Sequence, residues 1–262
     1  MNFDEIAKIY SSAGIVQKNA GLKLLQLLDI GREDDVLDAG CGNGVITAVI
    51  RKLTDGRVVG VDSSEKMIEE AKKSVKGVEF YVMRVEDMEF RNEFDVIFSN
   101  SSFQWFDADR AIEKFKESLR DGGRVGIQAP ARKDYSPTFI KALEAVKNSE
   151  IGEIFRSFRS PWFFLDTEEE YTRLFEKHGF EVSYCKIEKI RTVHTPEELF
   201  KIFRSGAVAA YLNPDFYGRR EEVDSSYRRR FLEIVRREFE RMAVNGRVEL
   251  VFHRVFLIAR LC

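Results

Sequence analysis

The sequence predicts an α/β fold, a Rossmann-like, doubly wound, mostly parallel seven-stranded sheet with a helical cap. Three observations support this prediction. Over the first 130 residues, five short β-rich runs alternate with helical patterns, which is typical of a parallel sheet covered on both faces. A glycine-rich loop follows the first of these runs, and two further strand-like runs occur after residue 180.

The order of strands and helices follows from the spacing of apolar residues. The predicted strands are Asp35–Ala39, Val58–Val61, Val78–Val82, Phe94–Phe98, Arg124–Gln128, Glu181–Ile190 and Val248–Ala259. Helical periodicity marks Gly14–Leu28, Val45–Leu53, Met67–Val75, Ala111–Leu119, 137–158 and 224–244. Capping boxes at Thr167 and Thr195 predict two more helix starts, and Gly179 is expected to end the first of these helices.

The 262 residues contain no long linker, repeat or low-complexity segment, so we expect a single domain over 1–262. Its core would comprise about 30–130, 165–190 and 247–262, preceded by N-terminal helices within 1–29. The cap would be drawn from 131–164 and 191–246.

Composition excludes several classes of protein. The net charge of −2 gives no electrostatic footprint for nucleic acid. Three cysteines without CxxC spacing and three scattered histidines indicate neither a disulfide framework nor a metal site. No apolar stretch is long enough to span a membrane, and MNFDEIAKIY lacks the features of a secretion signal. We therefore expect a cytoplasmic protein; its oligomeric state is left open.

The most informative stretch is the loop after the first predicted strand. Gly40, Gly42 and Gly44 alternate there, which allows a sharp turn and a close approach of ligand to main chain. Asp38 precedes them, and Asp62 ends the next strand, where an acid can accept both hydroxyls of a ribose. Dinucleotide folds instead use GxGxxG for a pyrophosphate, which Asp38 would repel. The pattern predicts a nucleoside that carries a zwitterionic amino acid, as S-adenosylmethionine does.

These motifs, in this order, resemble those of the class I S-adenosylmethionine-dependent methyltransferases. The resemblance rests on Asp38–Gly44 with Asp62, then Asp95–Asn100, then Leu119–Gly123, and it covers about residues 30–130. It implies S-adenosylmethionine as the cofactor and no metal. The cofactor-binding residues that it implies are Asp38, Gly40, Cys41, Gly42, Asp62, Ser63, Met67, Val85, Glu86, Asp87 and Asn100.

Within that set, Asp38, Gly40 and Gly42 would hold the methionine part and Asp62 the ribose. Ser63 and Met67 would flank the adenine, although Met67 also fits the apolar face of its helix and is equally well a core residue.

The adenine end departs from the family pattern, because Arg84 stands where many relatives carry an aspartate. Glu86 or Asp87 could read the adenine amine instead, with the amide of Val85 or Glu86 on a ring nitrogen. The alternative is that both acids are solvated turn residues.

A narrower similarity concerns the substrate. Phe3, Tyr10, Gln17, the run Ser99–Trp105 and the late run Arg254–Arg260 are similar to the malonyl-acyl-carrier-protein and trans-aconitate methyltransferase groups. By this similarity, Gln17 and Trp105 would hold a substrate carboxylate, with Gln104 and Tyr10 as further positioning candidates and no certain catalytic residue. Asn100, Gln104 and Trp105 follow the fourth strand and would lie beside the sulfonium. Trp105 could instead be a core residue, and Asn100 a loop cap.

The chemistry favours a carboxylate acceptor, which is already nucleophilic at pH 7 and needs orientation but no general base. No Ser/His/Asp or Cys/His constellation occurs. The predicted function is therefore O-methylation of a small acid, free or on an acyl carrier protein. Amine, thiol, carbon or RNA acceptors, and a non-catalytic nucleotide-binding protein, remain alternatives.

Two further patterns have two interpretations each. The arginine clusters at 219–220, 228–230 and 236–237 alternate with glutamates, which favours a solvated, ion-paired face over a landing surface for an acidic carrier or polycarboxylate. The aromatic residues are either an apolar cap over the pocket or ordinary core; they are Phe155, Phe158, Trp162, Phe163, Phe164, Phe200 and Phe203.

Overall fold

The computed structural model describes residues 15–206 and 208–262, with side chains from Asn19 onward. Its centre is a seven-stranded sheet with the strand order β3-β2-β1-β4-β5-β7-β6. The strands are β1 Val36–Ala39, β2 Val58–Asp62, β3 Glu79–Val82, β4 Phe94–Asn100, β5 Leu119–Pro130, β6 Phe180–His194 and β7 Val248–Leu261. The predicted fold class and all seven predicted strands are confirmed.

Strand pairing is parallel across β1–β5, whereas β7 pairs antiparallel with β5. β1 pairs in parallel with β2 on one side and with β4 on the other. β7 runs antiparallel to β5, from Arg124 opposite Arg260 to Pro130 opposite Arg254. Residue 254 therefore lies beside the carboxyl end of β5, at the edge where parallel strands present their ligands.

Ten α-helices occur in the described part of the chain. They are α1 Ile15–Leu28, α2 Thr47–Leu53, α3 Glu65–Ser74, α4 Ala108–Ser118, α5 Pro137–Lys147, α6 Gly152–Phe155, α7 Glu168–Glu176, α8 Pro196–Ser205, α9 Val208–Tyr211 and α10 Ser225–Met242. None of the helices in 15–206 and 208–262 is long and apolar enough to cross a membrane.

Helix ends follow the local sequence closely. Both predicted capping boxes are confirmed, with Glu170 and Glu198 returning to the backbone of Thr167 and Thr195. Gly179 has a φ of +87°, as expected of a residue that ends a helix. The helical segment predicted over 137–158 consists of two helices, α5 and α6. The Ser149 hydroxyl donates to the carbonyl of Val146 and ends α5, because this local hydrogen bond competes with the helical ladder.

Tertiary contacts divide the chain into two compact units. The described part of the first unit consists of residues 15–133, 163–188 and 254–262, and the second consists of Asp134–Trp162 and Lys189–His253. The second unit overlaps the predicted cap, while the single-domain organisation stays a prediction.

The first unit encloses a continuous apolar core around the central strands. Fully buried phenylalanines from β4, from α4 and from the segments that follow make this core, including Phe94, Phe103, Phe115 and Phe175. Each such side chain contributes roughly 1.5–3 kcal/mol by its burial. Phe163 joins the same core, edge-on to Phe103 at 6.1 Å between ring centroids. This part of the aromatic run is therefore ordinary core.

The second unit has an aromatic core of its own. Phe139 contacts Phe203 edge-to-face at 5.0 Å, and Tyr211 contacts Phe158 and Trp162, each at 5.0 Å. Its buried tyrosine hydroxyls form hydrogen bonds with one another. The Tyr217 and Tyr227 hydroxyls are 2.9 Å apart, and the pair is sealed from water. No local pattern in the sequence predicted this pairing of tyrosine hydroxyls.

Candidate active site

The strand order reverses direction between β1 and β4. From β1 the chain proceeds outward through β2 and β3, then returns to place β4 and β5 on the other side of β1. In open α/β sheets this switch point leaves a crevice beyond the carboxyl ends of the strands. Asp38 near the end of β1 and Asn100 at the end of β4 border that crevice.

The glycine loop presents bare main chain to the crevice. Gly40 and Gly42 have φ values of +79° and +54°, which side chains rarely adopt. The amides of Gly40 and Cys41 both donate to the carbonyl of Val61, at 2.8 and 3.0 Å, which anchors the turn to β2. A Cβ on Gly42 would meet nothing within 4 Å. The main chain at Gly42 is therefore open to a ligand.

Asp62, at the end of β2, ties the loop to the helix that follows. One carboxylate oxygen accepts from the amide of Gly42 and the other from the amide of Ser64, both at 2.9 Å. Because a carboxylate offers about four acceptor positions, two remain for further donors. The half-buried Asp62 can therefore hold the loop and accept two hydroxyl groups at once.

Asp38 is a buried acid, 2% exposed. Burial, helped by the nearby charge of Asp62, raises its pKa to about 7. A 2.6 Å hydrogen bond from the Thr47 hydroxyl acts in the opposite direction. A carboxylate with a neutral hydroxyl partner in a dry setting favours the approach of a cation. This geometry suits a cationic amine.

Cys41, in the glycine loop, has a buried thiol. Its thiol lies in an apolar cluster with Ile68, Ala71 and Phe80, and burial raises its pKa. The thiol is therefore neither a nucleophile nor a ligand in this setting.

A cleft of about 480 Å³ lies on the outer side of the loop. Its lining residues are Ser63, Val82, Met83, Arg84, Asp87 and Glu89. Met67 is 41% exposed at the start of α3, whereas Ile68 and Ala71 form the buried face of that helix. The interpretation of Met67 as a core residue is therefore wrong.

The two acids after β3 have different environments. Glu86 is 3% exposed and accepts from the amide of Asp107, the residue that caps α4, at 2.9 Å. Asp87 is exposed, lines the cleft and lies 3.7 Å from Arg110. The interpretation that both acids are solvated is therefore wrong for Glu86. The Glu86 carboxylate already accepts a hydrogen bond from the main chain, whereas Asp87 lines the cleft. Val85, which directly precedes these two acids, is buried in the core of the first unit.

The residues that follow β4 form a second group beside the loop. Gln104 is 7% exposed, and its amide nitrogen donates to the carbonyl of Ser101 at 2.8 Å. Trp105 is 42% exposed, so its interpretation as a core residue is wrong. Asn100 is half-buried against α1, where a Cβ on Gly21 would lie 3.1 Å from its amide nitrogen. The sequence did not single out Gly21 as a neighbour of Asn100. The available signal was a glycine inside an amphipathic helix, which often has a packing reason.

Three predicted positions lie wholly or partly outside what the structure describes. Phe3 and Tyr10 precede residue 15, and Gln17 belongs to α1 but its side chain is outside the described set. Their proposed contacts with a substrate carboxylate stay predictions.

The sequence did not predict that polar side chains of β5 and β7 meet behind Asn100. Arg254 of β7 is 2% exposed, and its Nη1 lies 3.2 Å from the Ser101 hydroxyl and 3.3 Å from Oε1 of Gln128. Burial lowers the pKa of Arg254 to about 10. The available signal in the sequence was an arginine directly before the apolar run Val255–Ala259.

Other residues of the family motifs stabilise the opposite edge of the sheet. Arg120 bridges Asp35 and Asp95, at 2.7 and 2.6 Å, and so ties together the beginnings of three neighbouring strands. Among the residues that the structure describes, no group of three potential ligands could hold a metal ion.

The arginine-rich surface of the second unit is mostly ion-paired. Arg219 lies 3.6 Å from Glu222 and Arg236 lies 3.6 Å from Glu240, at the helical spacing that the interleaved glutamates predicted. Arg228, Arg229 and Arg237 are exposed and make no ion pair within the described chain. Surface pairs of this kind contribute little to stability, typically below about 1 kcal/mol each.

Comparison with known proteins agrees with the geometry. A family model described as a methyltransferase domain matches residues 30–179, more than half of the chain. The malonyl-acyl-carrier-protein O-methyltransferase of Acetivibrio thermocellus is 26% identical over 270 residues, covering 99% of this chain and 92% of that protein. The trans-aconitate 2-methyltransferase of Deinococcus radiodurans is 27% identical over 234 residues, covering 86% and 85%.

Solved structures agree on the fold. The YcgJ protein of Bacillus subtilis matches with a TM-score of 0.59 at 17% identity, over 93% of this chain and 98% of that one. The family match over residues 30–179 spans the glycine loop, Asp62 and the end of β4. From these findings it follows that the chain belongs to the S-adenosylmethionine-dependent methyltransferases.

Proposed function

We propose that this enzyme transfers the methyl group of S-adenosylmethionine to a carboxylate of a small acid. The observation that carries the proposal is the pairing of open main chain at Gly42 with two acids, the buried Asp38 and the half-buried Asp62. Relatives named for carboxylate acceptors, similar along 99% and 86% of the chain, support the acceptor class.

The residues present fit the cofactor. Asp38 would pair with the amine of its methionine part, and Asp62 would accept the two ribose hydroxyls through its remaining lone pairs. The adenine would occupy the cleft next to Ser63 and Asp87, near the backbone of Val85. Exposed Met67 would cover it from α3. When bound, the cofactor supplies a methyl group on a positively charged sulfur.

The chain's own contribution to the reaction is orientation. Residues 100–105 and 128–132, at the carboxyl ends of β4 and β5 and just beyond them, include no histidine or carboxylate that could remove a proton. A carboxylate acceptor needs none, and alignment alone can contribute roughly 7–11 kcal/mol to lowering the barrier. Gln104 and Trp105, with Gln17 and Tyr10, are the proposed positioning residues. The acid would be free or carried on an acyl carrier protein.

Two measurements test the proposal. Asp62→Ala should weaken S-adenosylhomocysteine binding, measured by calorimetry, by at least about 100-fold, because two hydrogen bonds to a charged acceptor together contribute roughly 3–6 kcal/mol. Asp55→Ala is the matched control, since Asp55 is a 68% exposed surface partner of Arg32. Equal affinity in both variants contradicts the assignment of the ribose site.

The product identifies the acceptor class. Labelled methyl transferred to a pool of small acids should be released by mild alkali, because methyl esters hydrolyse there. A base-stable product would indicate an amine or carbon acceptor and would contradict the carboxylate proposal.

A further inference from the structure

The glycine loop touches the segment that follows β4, and Ser102 lies at the contact. A Cβ on Gly40 would be 2.3 Å from Cβ of Ser102, so the two stretches of chain have no room for a side chain between them. Residues 101–107, called here the acceptor segment, carry the positioning candidates Gln104 and Trp105. The contact at Gly40 therefore joins the cofactor side of the proposed site to its acceptor side.

A hydrogen bond fixes this contact. The Ser102 hydroxyl oxygen is 2.9 Å from the carbonyl oxygen of Gly40 and 3.0 Å from that of Asn100. Because a serine hydroxyl has one proton, the two carbonyls share it. Gly40 belongs to the loop and Asn100 ends β4, so the Ser102 side chain holds the loop against the end of β4.

The Ser102 side chain does not serve its own local turn. Ser102 precedes the 3₁₀ turn Phe103–Trp105, at the position where a serine usually accepts a hydrogen bond from the main chain of the turn. Its hydroxyl makes no such bond, although the amide of Trp105 donates to the Ser102 carbonyl at 2.9 Å. The turn is thus closed by main chain alone, and the hydroxyl is committed to the glycine loop.

Other elements hold the acceptor segment at its two ends. The amide of Ser101 donates to the carbonyl of Gln128 at 2.6 Å, and the amide of Asp107 donates to the Glu86 carboxylate at 2.9 Å. These bonds fix the segment to β5 and to the turn after β3. Removing the Ser102 hydroxyl should therefore leave the segment folded but free to shift relative to the glycine loop.

The distance between the loop and the acceptor segment matters for methyl transfer. In the proposed function the loop holds the methyl donor, and the segment orients the acceptor. A displacement of about 1 Å between reacting groups can lower a rate by about 100-fold. A single hydrogen bond that sets this distance can therefore affect the rate more than it affects the binding of either molecule.

We propose that Ser102 is a positioning residue, whose hydroxyl holds the glycine loop at the distance from the acceptor segment that methyl transfer requires. The inference rests on the proposed function, because it assumes that Gln104 and Trp105 orient the acceptor. Ser102 acts through the carbonyl of Gly40 and through the segment that follows it.

Hydrogen exchange tests the coupling without an acceptor. Binding of S-adenosylhomocysteine should slow the exchange of the Trp105 and Phe106 amides at least about fivefold in the unaltered protein, because a ligand that stabilises the loop also suppresses opening of a segment bonded to it. In Ser102→Ala the ligand should still protect the loop, whereas its protection of the acceptor segment should be lost.

Ser118→Ala is the matched control. Ser118 is a buried serine whose hydroxyl also donates to a main-chain carbonyl, that of Lys114 at 2.7 Å. It ends α4, and the acceptor segment lies at the other end of that helix. The two variants lose similar hydrogen bonds, so their urea midpoints should fall by similar amounts. Only Ser102→Ala should lose protection of the acceptor segment.

Single-turnover rates test the positioning. The enzyme is used in excess over labelled S-adenosylmethionine, and an equimolar pool of acetate, malonate and citrate is the acceptor. In Ser102→Ala the maximal rate should fall at least about 10-fold, while the half-saturating pool concentration and the affinity for S-adenosylhomocysteine change less than about threefold. Ser118→Ala should keep the unaltered rate. Ser102→Thr retains the hydroxyl and should restore most of the rate.

Ser102→Cys keeps the test decisive if Ser102→Ala fails to fold. A thiol is a weak donor, so the same losses of protection and rate are expected. Retained segment protection or a retained rate in the folded variant overturns the proposal, as does an equal loss in Ser118→Ala or a Ser102→Thr rate as low as that of Ser102→Ala.

The product separates this inference from the proposed function. Segment protection that depends on Ser102, without an alkali-labile product, would refute the proposed function and leave the coupling through Ser102 standing. An alkali-labile product made at the unaltered rate by Ser102→Ala would refute only the inference.

Discussion

Replacing Asp38 with asparagine removes a buried charge while nearly preserving the shape of the side chain. The hydroxyl of Thr47 can still donate to the amide oxygen, so the contact at the end of β1 is retained. In the unfolded chain this carboxyl has its ordinary pKa of 3.8, and in the folded protein burial raises the pKa to about 7. Between these values the folded protein binds one more proton than the unfolded chain.

The sign of the effect on stability follows from that difference. The free energy of unfolding of the unaltered protein falls as the pH rises through this window and levels off above pH 7, because ionisation is easier in the unfolded chain. Each pKa unit corresponds to about 1.4 kcal/mol. From pH 5 to pH 8 the contribution amounts to a loss of about 2–3 kcal/mol. The asparagine side chain does not titrate. From pH 5 to pH 8, the stability of the Asp38→Asn variant should therefore rise by about 2–3 kcal/mol relative to that of the unaltered protein.

Urea unfolding at pH 5, 6, 7 and 8 measures this difference, with Asp55→Asn as an exposed control. The same Asp38→Asn protein should bind S-adenosylhomocysteine about 10- to 100-fold more weakly at pH 8, because a charged hydrogen bond to the ligand amine contributes roughly 1.5–3 kcal/mol. Stability curves that stay parallel across the pH range would refute the burial argument. Unchanged affinity would refute the role of Asp38 at the amine.

Two further pairs of variants test the loop and the adenine side. Gly40→Ala places a methyl group 2.3 Å from Ser102 at a φ of +79°, so chemical denaturation should show that the free energy of unfolding falls by more than about 2 kcal/mol. The methyl group of Gly42→Ala faces open space, so this variant should lose mainly affinity for S-adenosylhomocysteine. If the two alanine variants were equally stable, the close approach at Gly40 would be contradicted. Glu86→Ala should lower the free energy of unfolding by about 1–3 kcal/mol by orphaning the amide that begins α4, while Asp87→Ala should leave stability unchanged and weaken binding of the adenosyl ligand. The reverse pattern in thermal unfolding and calorimetry would exchange the two roles.

The sequence was sufficient to predict the strands, the capped helices and the glycine loop. These features depend on residues that are neighbours along the chain. Strand runs are set by apolar spacing, helix starts by capping boxes such as Thr167 with Glu170, and the turn after β1 by glycines that tolerate positive φ. Asp38 and Asp62 could be predicted to lie at one edge of the sheet because parallel strands carry their carboxyl ends to the same edge.

Only the tertiary structure decided which side chains are buried and what they contact. Glu86 and Asp87 are adjacent in sequence, yet only Glu86 meets the amide of a residue 21 positions away. Arg254 contacts a hydroxyl 153 positions distant, after β7 has paired antiparallel with β5. Burial and partnership depend on packing between segments far apart in the chain, and local periodicity carries no record of that packing. The exposure of Met67 and the buried charge of Arg254 therefore became visible only in three dimensions.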